Sequence, residues 1–204
     1  MKVKLYPDGA AFKNPGPGGY AAILICGGQR KEFSAGYRRT TNNRMEIMSA
    51  IVGLRALEER CHVDIVSDSQ YVVNGINSWL KLWKKKNWMA KSKKPVLNQD
   101  LWMELDMLLA KHDAKAHWIK GHTDSQGQDA IENRRADILA ESAAANSATG
   151  IDFPYETLNP PQAFAIARSR QVISTLQPLE NELSRHDRLI QSELIWSDAE
   201  LEID

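Results

Sequence analysis

Cysteine is scarce in this chain: two residues, Cys26 and Cys61, in 204. One possible pair makes no disulfide framework, so both thiols are expected to be small buried side chains. Long apolar runs are missing as well. None reaches the length of a membrane span, and the opening Met1-Lys2-Val3-Lys4-Leu5 alternates at once, without a signal-peptide core. The expected address is therefore the cytoplasm. Lysine is absent from residues 151–204, which hold four arginines against ten Asp or Glu, a net charge of −6. Because the whole chain is neutral, the first 150 residues carry +6. Acids are in turn absent between Ile76 and Gln99, a stretch with seven lysines. The neutral total hides a basic segment and an acidic end, and local charge is what bears on partners. The apolar share of 43% suits one well-buried domain with an appendage.

Val3 and Leu5 alternate with Lys2 and Lys4, which predicts a short strand stopping at Tyr6-Pro7-Asp8-Gly9. After the turn-rich Asn14–Gly19 loop, Tyr20 to Cys26 is a nearly continuous apolar run. Gly27-Gly28 then reads as a hairpin turn into a strand carrying Phe33, Ala35 and Tyr37 on one face. Thr40-Thr41-Asn42-Asn43 marks a helix start, and Ile47, Ala50, Ile51, Leu54 and Leu57 form its apolar stripe. Val63 to Val66 predicts a fourth strand ending at Ser67-Asp68-Ser69. Helices are expected from there through Trp79 and over Gln99–Lys111. Ala114 to Lys120 is the expected fifth strand and Asn133 to Ala145 the alanine-rich last helix. This order suggests an α/β fold, a mixed sheet with helices on both faces. At about Asn146 the texture turns to Ser, Ala, Gly and Pro, and a domain boundary is placed there, dividing 1–146 from a linker and acidic extension at 147–204. Two helices are expected in that extension, over 163–176 and 179–195.

Three acids fall where chemistry is easily hosted. Asp8 follows the first strand, Asp68 the fourth, and Glu46 lies early in the intervening helix; Asp137, opening the last helix beyond His122, is a fourth. Carboxylates gathered closely repel unless a cation neutralises them, and hard oxygen ligands suit Mg²⁺ or Mn²⁺. Each acid alone has a plainer reading, as a turn cap or a helix N-terminal charge. Only the set of four points to a metal site.

The segments Asp8-Gly9 with Asn14-Pro15-Gly16-Pro17-Gly18-Gly19-Tyr20, Thr40-Thr41-Asn42-Asn43-Arg44-Met45-Glu46 and Asp68-Ser69-Gln70-Tyr71-Val72 resemble those of bacterial type 1 ribonuclease H. So do Trp118-Ile119-Lys120-Gly121-His122 and Glu132-Asn133-Arg134-Arg135-Ala136-Asp137, in order from about Val3 to Ala145. The resemblance implies a ribonuclease-H-like five-stranded mixed sheet with its first three strands antiparallel. It also implies a two-metal endonuclease that cuts the RNA strand of an RNA–DNA hybrid, leaving 5′-phosphate and 3′-hydroxyl ends. Asp8, Glu46, Asp68 and Asp137 fall on that family's metal-binding acids and His122 on its catalytic histidine. One ion is then expected between Asp8, Asp68 and Asp137 and the other between Asp8, Glu46 and Asp68. Histidine titrates near neutral pH, which suits orienting water or releasing phosphate.

Hybrid choice requires sensing the 2′-hydroxyl, the group that marks RNA. Asn14, Asn42, Asn43 and Gln70 match family positions near the substrate backbones, and Thr41 with Asn14 resembles the family's pocket for a DNA phosphate. The alternative for Asn42 and Asn43 is helix capping, expected of one of them. Residues 76–99 resemble the family's basic handle on the DNA strand, with Trp79, Trp83 and Trp88 set among Lys84, Lys85 and Lys86 and then Lys91, Lys93 and Lys94. One or two of these tryptophans are expected to pack. The pattern departs from the family at Pro7 and Ala10, beside Asp8, and in the longer loop from His122 to Asp137. A non-catalytic binder of hybrid or double-stranded RNA is the second reading, and crowded carboxylates argue against it. An integrase or resolvase of the same fold is the third; the handle and Gly121-His122 weigh against that. The expected state is a monomer, with the extension free to serve dimerisation or docking.

Overall fold

The computed structural model describes residues 1–147, 150–152 and 155–156. All of them fall in one compact unit, Met1–Leu158. Strand β1 (Lys2–Ala11) pairs antiparallel with β2 (Gly16–Cys26), Leu5 opposite Leu24 and Asp8 opposite Ala21. Strand β3 (Gln29–Thr40) completes the meander through the turn at Gly27-Gly28, where both glycines have positive φ. Helix α1 (Asn42–Arg55) crosses to β4 (His62–Ser67), which pairs parallel with β1 and with β5 (Asp113–Trp118). The sheet order is β3-β2-β1-β4-β5, so β1 is the central strand. Helices α2 (Gln70–Asn74) and α3 (Leu80–Lys85) flank a π-helical turn at Gly75–Trp79, and α4 (Gln99–Leu109) and α5 (Gln128–Ala145) complete the set.

Neighbouring residues of a strand face opposite sides of a sheet, and β1 shows what each side meets. Leu5 packs against Gly53 of α1, whereas Tyr6 joins Ala21, Ile23, Val66, Ala136 and Ala140 in a cluster under α5. A second cluster, Tyr20, Tyr37, Met45 and Val52, lies on the α1 side. Helices thus cover both faces. Burial of Val3, Leu5 and Tyr6, at about 1.5–3 kcal/mol for each large apolar side chain, holds β1 in the middle.

Several expected boundaries move. Strand β1 does not stop at Tyr6: Pro7, Asp8 and Gly9 stay in it because β2 pairs with them along their length. Pairing with β4 ends at Leu5–Ile65, and Pro7, which has no N–H, cannot prolong it. Helix α5 begins at Gln128 instead of Asn133, its first turn held by Asp129, which accepts from Lys4 Nζ at 2.6 Å and Tyr6 Oη at 2.7 Å. Asp137 therefore sits in the third turn of α5, not at its opening. Strand β5 ends at Trp118, not Lys120.

Packing also continues past the boundary placed at 146. The Arg38 N–H donates to the Gly150 carbonyl at 2.7 Å, and Asp152 is buried against Arg44. The Arg44 guanidinium, 2% exposed, donates to Asp152 at 2.7 and 2.9 Å and to Asp100 at 2.7 and 2.9 Å. Thr40 Oγ1 adds a bond to Asp152 at 2.6 Å. One cation thereby joins α1, the start of α4 and the segment after α5. The helices expected over 163–176 and 179–195 lie outside the described residues.

A buried charge left without its partner is strongly destabilising. Asp152→Ala should lower the unfolding free energy by about 3 kcal/mol in urea denaturation. Asp100→Ala, at the more exposed carboxylate, should cost clearly less; equal losses would show that burial does not set the strength of this pair.

Candidate active site

Asp8 lies on the central strand, Glu46 in the second turn of α1, Asp68 just past the end of β4 and Asp137 on α5. These four, with His122, line one cleft of about 500 Å³. Two glycines let its walls close: a Cβ at Gly9 would overlap the Glu46 backbone nitrogen, and one at Gly121 would overlap the Asp68 carboxylate. The Gly9 N–H donates to Asp8 Oδ1 at 2.8 Å. Asn133 Nδ2 donates to Asp68 Oδ2 at 3.1 Å, and Trp118 Nε1 to the Asp68 carbonyl at 3.0 Å. Asn42 Nδ2 reaches Glu46 Oε1 at 3.2 Å.

Crowding shows in the protonation equilibria. Burial, followed by the Asp68 carboxylate, pushes Asp8 up to about 8, with Asp137 and Glu141 adding and the Gly9 N–H opposing. Burial and then Asp8 and Asp68 hold Glu46 well above the carboxylate range. Burial also raises Asp137; His122 opposes it, and Glu141 and Asp68 reinforce it. Glu46, 8% exposed, has its Oε2 buried with no hydrogen-bond partner. A carboxylate oxygen in that position fits a cation better than it fits protein donors. Among the described residues no group of three or more His, Cys, Asp or Glu is arranged to hold a metal ion as it stands. An open, carboxylate-lined cleft still suits Mg²⁺, which is bound through oxygen ligands, keeps several of its waters and needs no all-protein cage.

Glu141, which also lines the cleft, was not singled out from the sequence. Its signal was there, four residues after Asp137 on the same helical face, but only the packing of α5 across the sheet brings that face to the cleft. Asn133 likewise went unremarked as the Asp68 partner. His122 is 79% exposed, at positive φ, with Nδ1 3.6 Å from Asp137 Oδ2. That is close enough for electrostatic contact and too long for a hydrogen bond.

The other candidates divide. Asn42 lines the cleft. Thr41 caps α1, its hydroxyl accepting from the Arg44 N–H at 3.4 Å, so neither Asn42 nor Asn43 is the cap that was expected. Asn14 Oδ1 accepts from the Asn42 N–H at 3.1 Å, which ties the loop before β2 to the start of α1. Gln70 opens α2 beside Ser69, the cap of that helix. In the lysine-rich segment, Trp79 and Trp83 pack edge-on or tilted with Tyr71 and the buried Trp102 at centroid distances of 5.3–5.7 Å. Lys85 and Lys86 are exposed, whereas Lys84 is paired with Asp106 of α4 at 2.8 Å.

The profile of the RNase H family matches residues 1–145. A ribonuclease H of Aeromonas salmonicida is 49% identical over 154 residues, 76% of this chain and 97% of its own length. One from Escherichia coli is 52% identical over 145 residues, 71% of this chain and 90% of its own. Among solved structures, LC9-RNase H1, a type 1 RNase H with the type 2 active-site motif, aligns at 28% identity with a TM-score of 0.62, over 81% of this chain and 84% of its own. The RNase H domain of PFV, at 23% identity and a TM-score of 0.61 over 71% and 95%, shares the fold.

An acid whose folded pKa is raised binds its proton more tightly folded than unfolded, so stability falls as pH climbs from its ordinary value near 4 toward 8. Asp8→Asn removes that burden. The metal-free variant should be more stable than the parent by roughly 1–3 kcal/mol at pH 8 and by little at pH 4. Thermal melts across that range check it; a gain that did not grow with pH would mean that Asp8 is not under this stress.

Proposed function

This chain belongs to the ribonuclease H family, and on that premise we propose that it hydrolyses the RNA strand of RNA–DNA hybrids at the cleft of Asp8, Glu46, Asp68 and Asp137, leaving 5′-phosphate and 3′-hydroxyl ends. The observation that carries the reading is the gathering of these carboxylates in one cleft, with Asp8 and Glu46 buried and pushed toward the protonated state by their neighbours. At neutral pH such acids either keep their protons or share a cation, and a divalent cation would relieve the crowding with all of them ionised. Two divalent ions, Mg²⁺ with Mn²⁺ able to replace it, would supply positive charge for the phosphodiester hydrolysis when bound. Asp8 and Asp68 would hold both, Glu46 the one on its side and Asp137 the other. Asp68 is kept in line by Asn133, and Glu46 by Asn42. His122, at the rim beside Asp137, orients the attacking water or helps the phosphate depart.

Substrate choice follows from contacts along two backbones. Asn14, Asn42, Asn43 and Gln70 carry amides that both donate and accept, which suits 2′-hydroxyls and minor-groove edges. Thr41 and Asn14, on the joined loop and helix start, would seat a DNA phosphate. Trp79, Lys85 and Lys86, with Lys84 partly neutralised by Asp106, would grip the DNA strand without regard to sequence. Among the described residues no helix is long and apolar enough to cross a membrane. The proposed setting is the cytoplasm and the proposed working state a monomer. The part played by 147–204 in docking or dimerisation is left to the extension's acidic sequence.

Incubated with a hybrid, with each single strand and with both homoduplexes, the protein should cut the RNA of the hybrid alone, with Mg²⁺ or Mn²⁺ and not with chelator. Asp8→Asn and Asp68→Asn should each cut kcat by about a thousandfold or more, about 4 kcal/mol of barrier. Equal cleavage of duplex DNA would end the specificity claim. Replacing Lys85 and Lys86 with Ala should raise KM and flatten its logarithmic salt dependence by about 1–2 units, the share of two phosphate contacts. An unchanged slope would remove the handle from the reading.

A further inference from the structure

The segment between β5 and α5 carries His122, and it is poorly anchored by packing. One side of it borders a cavity of about 440 Å³ whose other walls include Lys4, Ile119 and Asp129. Residues 124–127 are exposed. Two of its hydrogen bonds are internal, Gln126 Nε2 to the Asp124 carbonyl at 3.0 Å and the Gly127 N–H to Ser125 Oγ at 3.3 Å. Bonds inside a loop shape it without fixing it to the body.

Arg134 supplies the missing anchor. It stands on α5, one turn before Asp137, and its Nη1 donates to the Thr123 carbonyl at 2.6 Å and to the Ser125 carbonyl at 2.8 Å. Apart from the His122–Asp137 contact, these are the hydrogen bonds that tie residues 122–126 to the rest of the domain among the described residues. Thr123 directly follows His122, so the clamp fixes the backbone that carries the imidazole. His122 itself holds a left-handed backbone, φ 49°, a conformation an untied loop leaves easily.

We propose that Arg134 is a positioning residue: by clamping the Thr123 and Ser125 carbonyls to α5 it holds His122 beside Asp137 in the geometry the reaction uses. This rests on the proposed role of His122. The competing role for an arginine at the rim of a nuclease cleft is direct contact with a substrate phosphate, and the two differ in what they move. A clamp acts on turnover through His122. A phosphate contact acts on KM and its salt dependence.

The test is a double-mutant cycle on the full chain with Arg134→Ala and His122→Ala, together with amide hydrogen exchange of residues 123–126 in the Arg134→Ala protein. A clamp predicts that Arg134→Ala lowers kcat by about tenfold with KM within about twofold, as a small misplacement of a catalytic group does. It also predicts that the double variant is no slower than His122→Ala, and that loop exchange speeds up about tenfold. Additive losses, a raised KM with a flatter salt slope, or unchanged loop exchange would each overturn the clamp. Should His122→Ala keep full kcat while loop exchange still rises, the role of His122 is what fails. Arg134 then clamps the loop but positions nothing for the reaction.

Discussion

Like charges drawn together out of water raise the energy of a folded chain, and this domain is organised around that cost. Asp8 sits on the most enclosed strand of the sheet, and Glu46 is almost as buried on the helix beside it. Neither placement helps folding. What offsets them is the apolar packing of β1 between α1 and α5 and the buried guanidinium of Arg44, which balances two other carboxylates elsewhere in the same helix–sheet layer. The cleft is therefore strained by charge in a frame that is otherwise well satisfied, as expected where function and stability compete.

Hydrophobic periodicity carried most of the architecture. The apolar alternation of Val3 and Leu5, the run from Tyr20 and the stripe from Ile47 each became the element they predicted. Failures came where local chemistry and tertiary cover disagreed. Pro7-Asp8-Gly9 reads as a turn because its residues favour turns, yet pairing with β2 and cover from both helices keep it extended. Gln128 to Glu132 has no apolar stripe; its helix is held by polar bonds from Lys4 and Tyr6, which leave no periodic mark. Ser, Ala and Gly after Asn146 look like a linker, and only the Arg44 contacts show why the chain keeps packing there.

Of the site, the acids were legible because their residue types and order resemble a family. Their convergence was not, since it depends on β1 and β4 ending their pairing side by side. Glu141 and Asn133 were missed for the same reason: they matter only once α5 is laid across the sheet. The lysine-rich segment divides in an instructive way. Trp83 packs edge-on against Trp102 and Trp79 against Tyr71 and Trp83, so only part of either ring faces outward, and one lysine of the run is held by Asp106. Composition identified a basic surface; it could not say which of its charges are available.

The Arg44 joint has a consequence for where the domain ends. Its guanidinium lies near the start of α1, and its most buried partner, Asp152, follows 108 positions later. Asp100 comes first, 56 positions after Arg44, and holds the guanidinium from its more exposed side. Only Asp152 encloses it fully. A chain cut before Asp152 would therefore keep every residue that lines the cleft and still leave a buried cation half-matched beneath it, so the stretch after α5 contributes to the catalytic domain through charge balance.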